Sequence, residues 1–373
     1  MFRVANVNPF SPKEVYIIGG GLAGIVTALS LQQRGVIATV LEAHATPKRK
    51  VGETLPPSVA PVLQVLGIRE LLDRPEHLHC FGNTYQWGSE QLQEKHFIQS
   101  TLGHGLHVQR DVLENDLQDF ARKKGIRLLT DHKLLQLNRQ PDESWLMTLM
   151  TPSGEQTVPA DFVVDATGRS SKVARCLGIE RRLLDELTGT TAYFSLPETT
   201  AIAQYTYVES VEKGWWYAAV LGSGKLVTAF MTDARILEKS TQEQHGYWQQ
   251  LQQTTLIKKV FPENYEPDFA TGIQTQSAGT SYLEACCGNN WLAVGDAAFA
   301  YDPVSSYGMT SALGSGYYAG QAIADCLSGE IEALDAYRFL IEKTFADYLP
   351  LWQQQYAVEQ RWKEAAFWKA RHR

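Results

Sequence analysis

Several things that this chain has little of set the first limits on it. Only five cysteines occur in 373 residues, with no repeated metal-type spacing. No metal site is therefore expected, and a reducing compartment is. The adjacent Cys286 and Cys287 read as two inert thiols rather than a redox switch. Positive charge is also short: 34 Lys and Arg face 41 Asp and Glu, a net charge of -7. A nucleic-acid footprint needs a basic face, so nucleic acid is not an expected partner. No apolar run is long enough to cross a bilayer. The first thirteen residues carry neither a long apolar stretch nor a small-residue cleavage site, so a cytoplasmic location without membrane contact is expected. Low-complexity linkers and internal repeats are missing as well. What remains is 44% apolar and 20% charged, the balance of a chain with a substantial core. Its length suits two or three domains or one large enzyme. The last dozen residues are locally basic but rich in tryptophan, and read as a packed helix ending in a solvated tip.

Chemistry first appears near the start. "EVYII" at 14–18 is an apolar run of strand length, followed by "GGGLAG", then by "IVTALSLQQRG", apolar at helical spacing and closed by Gly35. "IATVLEA" reads as a second buried strand. Strand, glycine turn, helix and strand, with an acid at the second strand's end, form a dinucleotide site. Gly19 permits the tight turn, Gly21 lets a pyrophosphate approach the backbone, and Gly24 lets helix and strand pack closely. The helix start at Leu22 and Ala23 offers free N–H groups and a positive dipole end to phosphate. Glu42, with Ala43 beside it, suits a ribose hydroxyl.

The C-terminal half indicates which dinucleotide. In "WLAVGDAAFAYDPVSSYGMTSALGSGYYAGQAI" a buried strand ends at Gly295-Asp296, and Pro303 and Gly308-Met309 lead into a helix rich in small residues. This resembles the second FAD fingerprint of the flavoprotein monooxygenase and halogenase superfamily. The resemblance implies FAD, with Asp296 on a ribityl hydroxyl and the helix start facing the flavin pyrimidine. Two further stretches agree. "GLHVQRDVLENDLQDFARKKGIRLL" puts Arg110 just before an amphipathic helix with Val112, Leu113, Leu117, Phe120 and Ala121 as its stripe; the superfamily's matching arginine lies beside the cofactor. "ADFVVDATGRSSKVARCLG" resembles the superfamily's DATG strand, placing Asp165 and Gly168 near the adenosine end or in a tight turn. Glu53, in the turn "VGETLPPSVAPVLQVLGI", completes the cofactor-binding candidates.

The landmarks are scattered, so a compact FAD domain must be assembled from separated segments. The expected fold is α/β: a Rossmann-type, para-hydroxybenzoate hydroxylase-like FAD domain from residues 1–79, 105–185 and 276–330. Residues 80–104 and 186–275 alternate as short strands and form an inserted, mostly antiparallel substrate domain. "GSGK" at 222–225 is a hairpin turn within it, and "STQEQHGYWQQLQQTTLIKKV" is a following helix. Residues 331–373 form a helical C-terminal segment whose aromatic stripe reads as core, or alternatively as a docking surface.

The stretch "EKGWWYAAVL" bears on the reaction. It resembles the halogenase signature W-x-W-x-I-P, but Trp215 is followed in register by Tyr217, Ala219 and Val220, so three of four defining positions differ. Halogenases also carry a lysine in the strand after the GE turn; the matching position here is Gly82. The hydroxylases' DG motif and GDAAH string are altered too, with Phe299 in the histidine position, which argues against direct NAD(P)H use. A better likeness spans nearly the whole chain. "FGNTYQWGS", "GWWYAAVL", "AYDPVSSYGMTSAL" and "YAVEQRWKEAAFWKAR" together resemble the LodB/GoxB-type flavoproteins, implicated in maturing quinoprotein amino acid oxidases. That resemblance implies an FAD-dependent monooxygenase that uses molecular oxygen on a tryptophan of a precursor protein, during cysteine tryptophylquinone biogenesis. The alternatives are a monooxygenase, or less readily a halogenase, acting on a small aromatic molecule, and a flavin-binding chaperone. Trp215 and Tyr217 share one strand face and Trp216 takes the other. No general base stands out, and no catalytic residue is assigned.

Overall fold

A computed structural model of the protein describes residues 13–46, 50–99, 101–197, 200–222 and 224–372. Most of the N-terminal stretch read for a signal, and Ser223 of the "GSGK" turn, lie outside these residues.

A six-stranded sheet forms the frame. Its order is Cys287–Gly288, Trp291–Ala293, Phe162–Asp165, Val15–Ile18, Ala38–Leu41 and Arg127–Leu129. The last five run parallel, and only the short edge strand Cys287–Gly288 is antiparallel. Val15 stands opposite both Phe162 and Ala38, and Ile18 opposite Asp165 and Leu41. Every residue of the three central strands is buried, which is why each reads as a continuous apolar run. The helix Leu22–Gln33 follows the first strand and packs along the helix Gly308–Leu327. The small residues of the latter make this possible. A Cβ on Gly316 would lie 2.7 Å from the Ala23 carbonyl oxygen, and one on Gly320 would collide with Ser30. The Ser30 hydroxyl then donates to the Tyr317 carbonyl at 2.6 Å.

A seven-stranded sheet stands beside this frame, ordered Gln274–Ser277, Leu187–Ser195, Lys225–Asp233, Gly214–Leu221, Thr206–Val211, Gly82–Gln86 and Gln93–His96. It is antiparallel except where Gly82–Gln86 joins Thr206–Val211 in parallel. Leu221 pairs with Lys225, closing the hairpin around 222–224. The "STQEQ" stretch is shorter in helix than its periodicity predicts: Gln244–Gln252 is helical, and Ile257–Val260 is a separate 3-10 turn. The break has a cause. The Glu209 carboxylate accepts the N–H groups of Thr255, Leu256 and Ile257 at 2.6–2.9 Å, which starts a new turn there. Trp216, Phe230 and Phe194 fill the sheet's outer face, and Tyr247 of the helix Gln244–Gln252 packs onto them. Trp215 and Met231 point the other way.

The C-terminal helices are Glu332–Ala357 and Ala366–Arg371. Their aromatic stripe is core: Tyr337, Phe345, Tyr348, Tyr356, Phe367 and Trp368 are buried, with Phe339 exposed. Among the described residues the end of the tail is docked at Arg371, while Lys369 stays exposed. The Arg371 guanidinium, nearly buried, grips the Asp233 carboxylate at 2.6 and 3.0 Å. Cys286 and Cys287 are free and buried.

Candidate functional site

The two glycine-rich segments meet at one cavity of about 710 Å³, within the size of a cofactor-and-substrate site. The first strand ends in the glycine turn, where Gly19 has φ +115° and a Cβ would press on the Ala166 carbonyl. Only glycine fits there. Gly24 does not border the cavity. Its missing side chain lets the helix sit on the turn, since a Cβ would overlap the Gly19 carbonyl oxygen. Gly21 faces the cavity, and among the described residues the only atoms within 4 Å of its notional Cβ are Lys50 Nζ at 3.0 Å and Glu114 Oε2 at 3.9 Å. The helix beginning at Leu22 has no side-chain cap and no acid in its first turn, so its positive end is left for an anion. Glu42 accepts the N–H of Gly20 at 2.8 Å and of His44 at 3.1 Å. These bonds hold its carboxylate at the cavity edge.

Of the remaining expected site residues, Leu22, Ala23, Ala43, Glu53, Arg110, Gly168, Asp296, Pro303, Gly308 and Met309 all border this cavity. Asp165 does not. It is fully buried and accepts from the Thr167 hydroxyl and the N–H groups of Thr167 and Ala174, so it shapes the turn that presents Gly168. At the other end, Asp302 accepts the Val304 N–H at 2.9 Å and sets the 3-10 turn Pro303–Ser305. The helix Gly308–Leu327 follows, again without a side-chain cap or an acid in its first turn. Two arginines brace the Gly295-Asp296 turn. Arg181 donates to the Asp296 carbonyl at 2.7 Å, and Arg169, held by the carbonyls of Ala278, Gly279 and Tyr301, stands 3.5 Å from the Asp296 carboxylate.

The sequence reading missed a polar group on the helix Arg110–Lys123. Its buried face includes Glu114 and Gln118 beside the expected Leu113, Leu117 and Ala121. Arg110, in the helix's first turn rather than before it, pairs with Glu114 at 2.7 Å, and Lys50 does so at 2.6 Å. Burial alone would raise the Glu114 carboxyl, but the two cations overcome it and hold the group below its usual range. The Gln118 amide donates to the Gly20 carbonyl at 2.9 Å. No local pattern marks Glu114 and Gln118 as buried beforehand.

The far wall comes from the seven-stranded sheet. Trp215, Tyr217, Met231, Gly189 and Ala278 border the cavity there, while Trp216 is on the opposite face. Trp215 donates its indole N–H to the Tyr356 hydroxyl at 3.0 Å, and Tyr356 donates to Asp302 at 2.8 Å. Burial and the nearby Asp185 push the Asp302 carboxyl up to about 6. Glu53 lies at the foot of the wall, 1% exposed. It accepts from Tyr193 at 2.8 Å and from the Gly52 N–H at 3.0 Å, and burial raises its carboxyl above the usual range despite both bonds.

The cavity therefore offers a glycine cradle, two unblocked helix starts and a bracket of cations at one side, which fit an extended dinucleotide. The other side offers an aromatic chamber. A family model described as FAD binding domain matches residues 13–339. The "Putative FAD-dependent oxidoreductase LodB" of Marinomonas mediterranea is 29% identical over 368 residues, with 96% of each chain covered. Among solved structures, the flavin-dependent halogenase CmlS superposes with a TM-score of 0.85 at 24% identity, covering 97% of this chain and 68% of that one. QhpG, a peptidyl tryptophan dihydroxylase essential for tryptophylquinone cofactor biogenesis, superposes with a TM-score of 0.76 at 22% identity, covering 97% and 79%.

Proposed function

This chain belongs to the FAD binding domain family and is an FAD-dependent oxidoreductase, and from that premise we propose that it oxygenates a tryptophan side chain of a partner precursor protein during cysteine tryptophylquinone biogenesis. The glycine turn and the start of the helix Leu22–Gln33 would take the pyrophosphate, and Glu42 a ribose hydroxyl. Arg110 and Lys50 would add positive charge on that side. Asp296, Pro303 and the start of the helix Gly308–Leu327 would hold the flavin end. Bound FAD supplies electrons for activating molecular oxygen. The chain's own task is then to exclude water, orient an electron-rich ring and accept its proton.

One observation carries the choice of reaction. Among the described residues the far wall of the cavity carries two aromatic rings and no amine: Gly189, Thr191, Trp215, Tyr217, Met231 and Gln276 to Ala278. Gly82, which matches the halogenase lysine, has no room for any side chain, because a Cβ would collide with the Lys95 carbonyl oxygen across the strand pair. The closed position at Gly82 speaks against a hypohalous acid relay of the halogenase kind, whereas an indole fits such a wall. The likeness in fold to QhpG, a peptidyl tryptophan dihydroxylase, supports a tryptophan of a protein as substrate, and the similarity to LodB along 96% of the chain supports an FAD-dependent oxidoreductase.

The test is the intact mass of the protein encoded beside this one, produced with and without this chain. Added oxygen on a tryptophan, seen only when this chain is present, is the expected result. An unchanged mass overturns the protein-substrate reading and moves small aromatic molecules to first place.

A further inference from the structure

The second tryptophan position of the halogenase signature is Tyr217 here, and it ends a row that crosses the far wall. Thr191, Ala229 and Tyr217 stand opposite one another on three adjacent strands and share a face. Two hydroxyl residues are thus separated by one methyl group. Thr191 is 1% exposed, and its hydroxyl has no hydrogen-bond partner among the described residues. The Tyr217 hydroxyl does have one: it lies 3.2 Å from Thr54 Oγ1, and both residues border the cavity. From Thr54 the bonds run inward, to Thr206 Oγ1 at 3.1 Å and on to His107 Nε2 at 3.0 Å. They end where His107 Nδ1 meets the Val220 carbonyl oxygen at 3.1 Å.

The inner end of this chain sets the direction of every bond in it. A carbonyl oxygen only accepts, so the His107 ring proton is on Nδ1. His107 is fully buried, and burial pushes its imidazolium down to about 4. At neutral pH Nε2 therefore carries no proton and accepts. Thr206 gives its one proton to His107, Thr54 gives its own to Thr206, and Tyr217 gives its own to Thr54. The nearby Cys80 thiol does not divert Thr206. It lies 3.7 Å away, donates to the Gly82 carbonyl at 3.4 Å, and is a weak acceptor beside an imidazole nitrogen at 3.0 Å. Burial, with the Glu53 charge near it, keeps Tyr217 a neutral phenol with a single proton to give. A tyrosine hydroxyl can ordinarily donate or accept. This one is left to the cavity as an acceptor.

We propose that Tyr217 selects and orients the substrate ring: its oxygen receives the indole N–H, and Thr54, Thr206 and His107 are positioning residues that keep its own proton turned away. The proposal rests on the indole substrate argued above and adds what recognises it. An aromatic ring of the same size without a donor at that edge leaves the Tyr217 oxygen unpaired against it, which costs binding. The row gives the ring its place, over Ala229. Beyond Ala229 the unpartnered Thr191 hydroxyl is available to a second polar atom of the same ligand, which accounts for a buried hydroxyl left without a bond.

Two measurements on the holoenzyme test this. The first needs no substrate. Nuclear magnetic resonance of protein carrying isotope-labelled histidine, at neutral pH, should show His107 with a proton on Nδ1 and a bare Nε2. Its signals are identified by their absence from His107→Gln and their displacement in Thr206→Val. A proton on Nε2 reverses the chain and overturns the proposal whatever the substrate is. The second follows the flavin absorbance of oxidised enzyme as it binds N-acetyltryptophanamide or the benzofuran isostere, in which oxygen replaces the ring N–H. Wild type should bind the indole at least about fivefold more tightly. Tyr217→Phe should keep its FAD and bind the two alike. Thr54→Val removes the acceptor of the tyrosine proton and frees it to turn to the cavity, so the preference should vanish or reverse. A merely structural role for Thr54 would weaken both ligands equally and leave their ratio unmoved. A preference that survives in Tyr217→Phe, or a ratio unmoved in Thr54→Val, overturns the proposal. A wild type that binds neither probe, nor the neighbour-encoded protein, defeats the function proposed above and this proposal with it, whereas a proton on His107 Nε2 defeats this proposal alone.

Discussion

Gly21 and Gly24 stand one helical turn apart and are glycines for different reasons, which makes them separable by mutation. Gly21 has φ -78°, open to any residue, and among the described residues its notional Cβ meets only the far end of the Lys50 side chain and, more distantly, Glu114. An aspartate there fits, but places its carboxylate in the anion site. Gly21→Asp should therefore keep its circular dichroism and melt within a few degrees of wild type, yet elute from gel filtration without FAD. Gly24→Ala forces a methyl group onto the Gly19 carbonyl, a backbone atom that cannot step aside. It should lose about 1–3 kcal/mol or more of stability, with FAD lost as a consequence of misfolding. Flavin absorbance per polypeptide, read beside thermal unfolding, distinguishes the two. A Gly21→Asp protein that retains FAD would remove the pyrophosphate from this turn.

At the scale of elements, the site depends on two helices whose starts border one cavity although their sequences lie nearly the whole chain apart. Their contact is set by Gly316 and Gly320 against Ala23 and Ser30. Gly320→Ala should wedge them apart and cost about 1–3 kcal/mol. Gly314→Ala, on the same helix with nothing within 4 Å, should be neutral or gain about 0.4–1 kcal/mol from reduced unfolded-state freedom. Equal effects in chemical denaturation would mean that the helix pair is not the constraint. The small-residue pattern was legible in the sequence, as were both glycine fingerprints, because close backbone approach restricts the residue locally. Glu114 and Gln118 were not legible. Periodicity marks apolar positions as buried and assigns polar ones to solvent, whereas these two are buried because they border a cavity that only tertiary structure creates. The Glu53–Tyr193 pair was hidden for another reason: its members are 140 residues apart, joined by sheet registers that no local pattern encodes. Glu53 was picked out as a cofactor residue, without the partners that hold it.

At the scale of the molecule, the C-terminal tail decides whether the aromatic wall is rigid. The division of the chain that sets 331–373 apart as its own segment is a proposal about folding units, and the tail's contacts give it a sharp test. Glu359 accepts the Gly88 N–H at 2.9 Å and the Ser210 hydroxyl at 2.6 Å, Trp368 donates to the Val211 carbonyl at 2.9 Å, and Arg371 holds Asp233. These anchors all lie on the seven-stranded sheet or at its edge. Between them, Trp368 packs edge-on to Trp87 and beside Tyr356, the residue that holds the Trp215 indole. The tail is thus the back support of the cavity wall. Trp368→Ala should cost about 3–5 kcal/mol, the usual loss for emptying a fully buried tryptophan site, and should open the strands around Trp87 and Trp215 to protease. Because the glycine cradle lies on the other sheet, FAD should stay bound while product yield falls through the loosened Trp215 and Tyr217. If the tail were instead an independent appendage, the same variant would leave the melting of the rest unchanged, and proteolysis would trim the C-terminus alone.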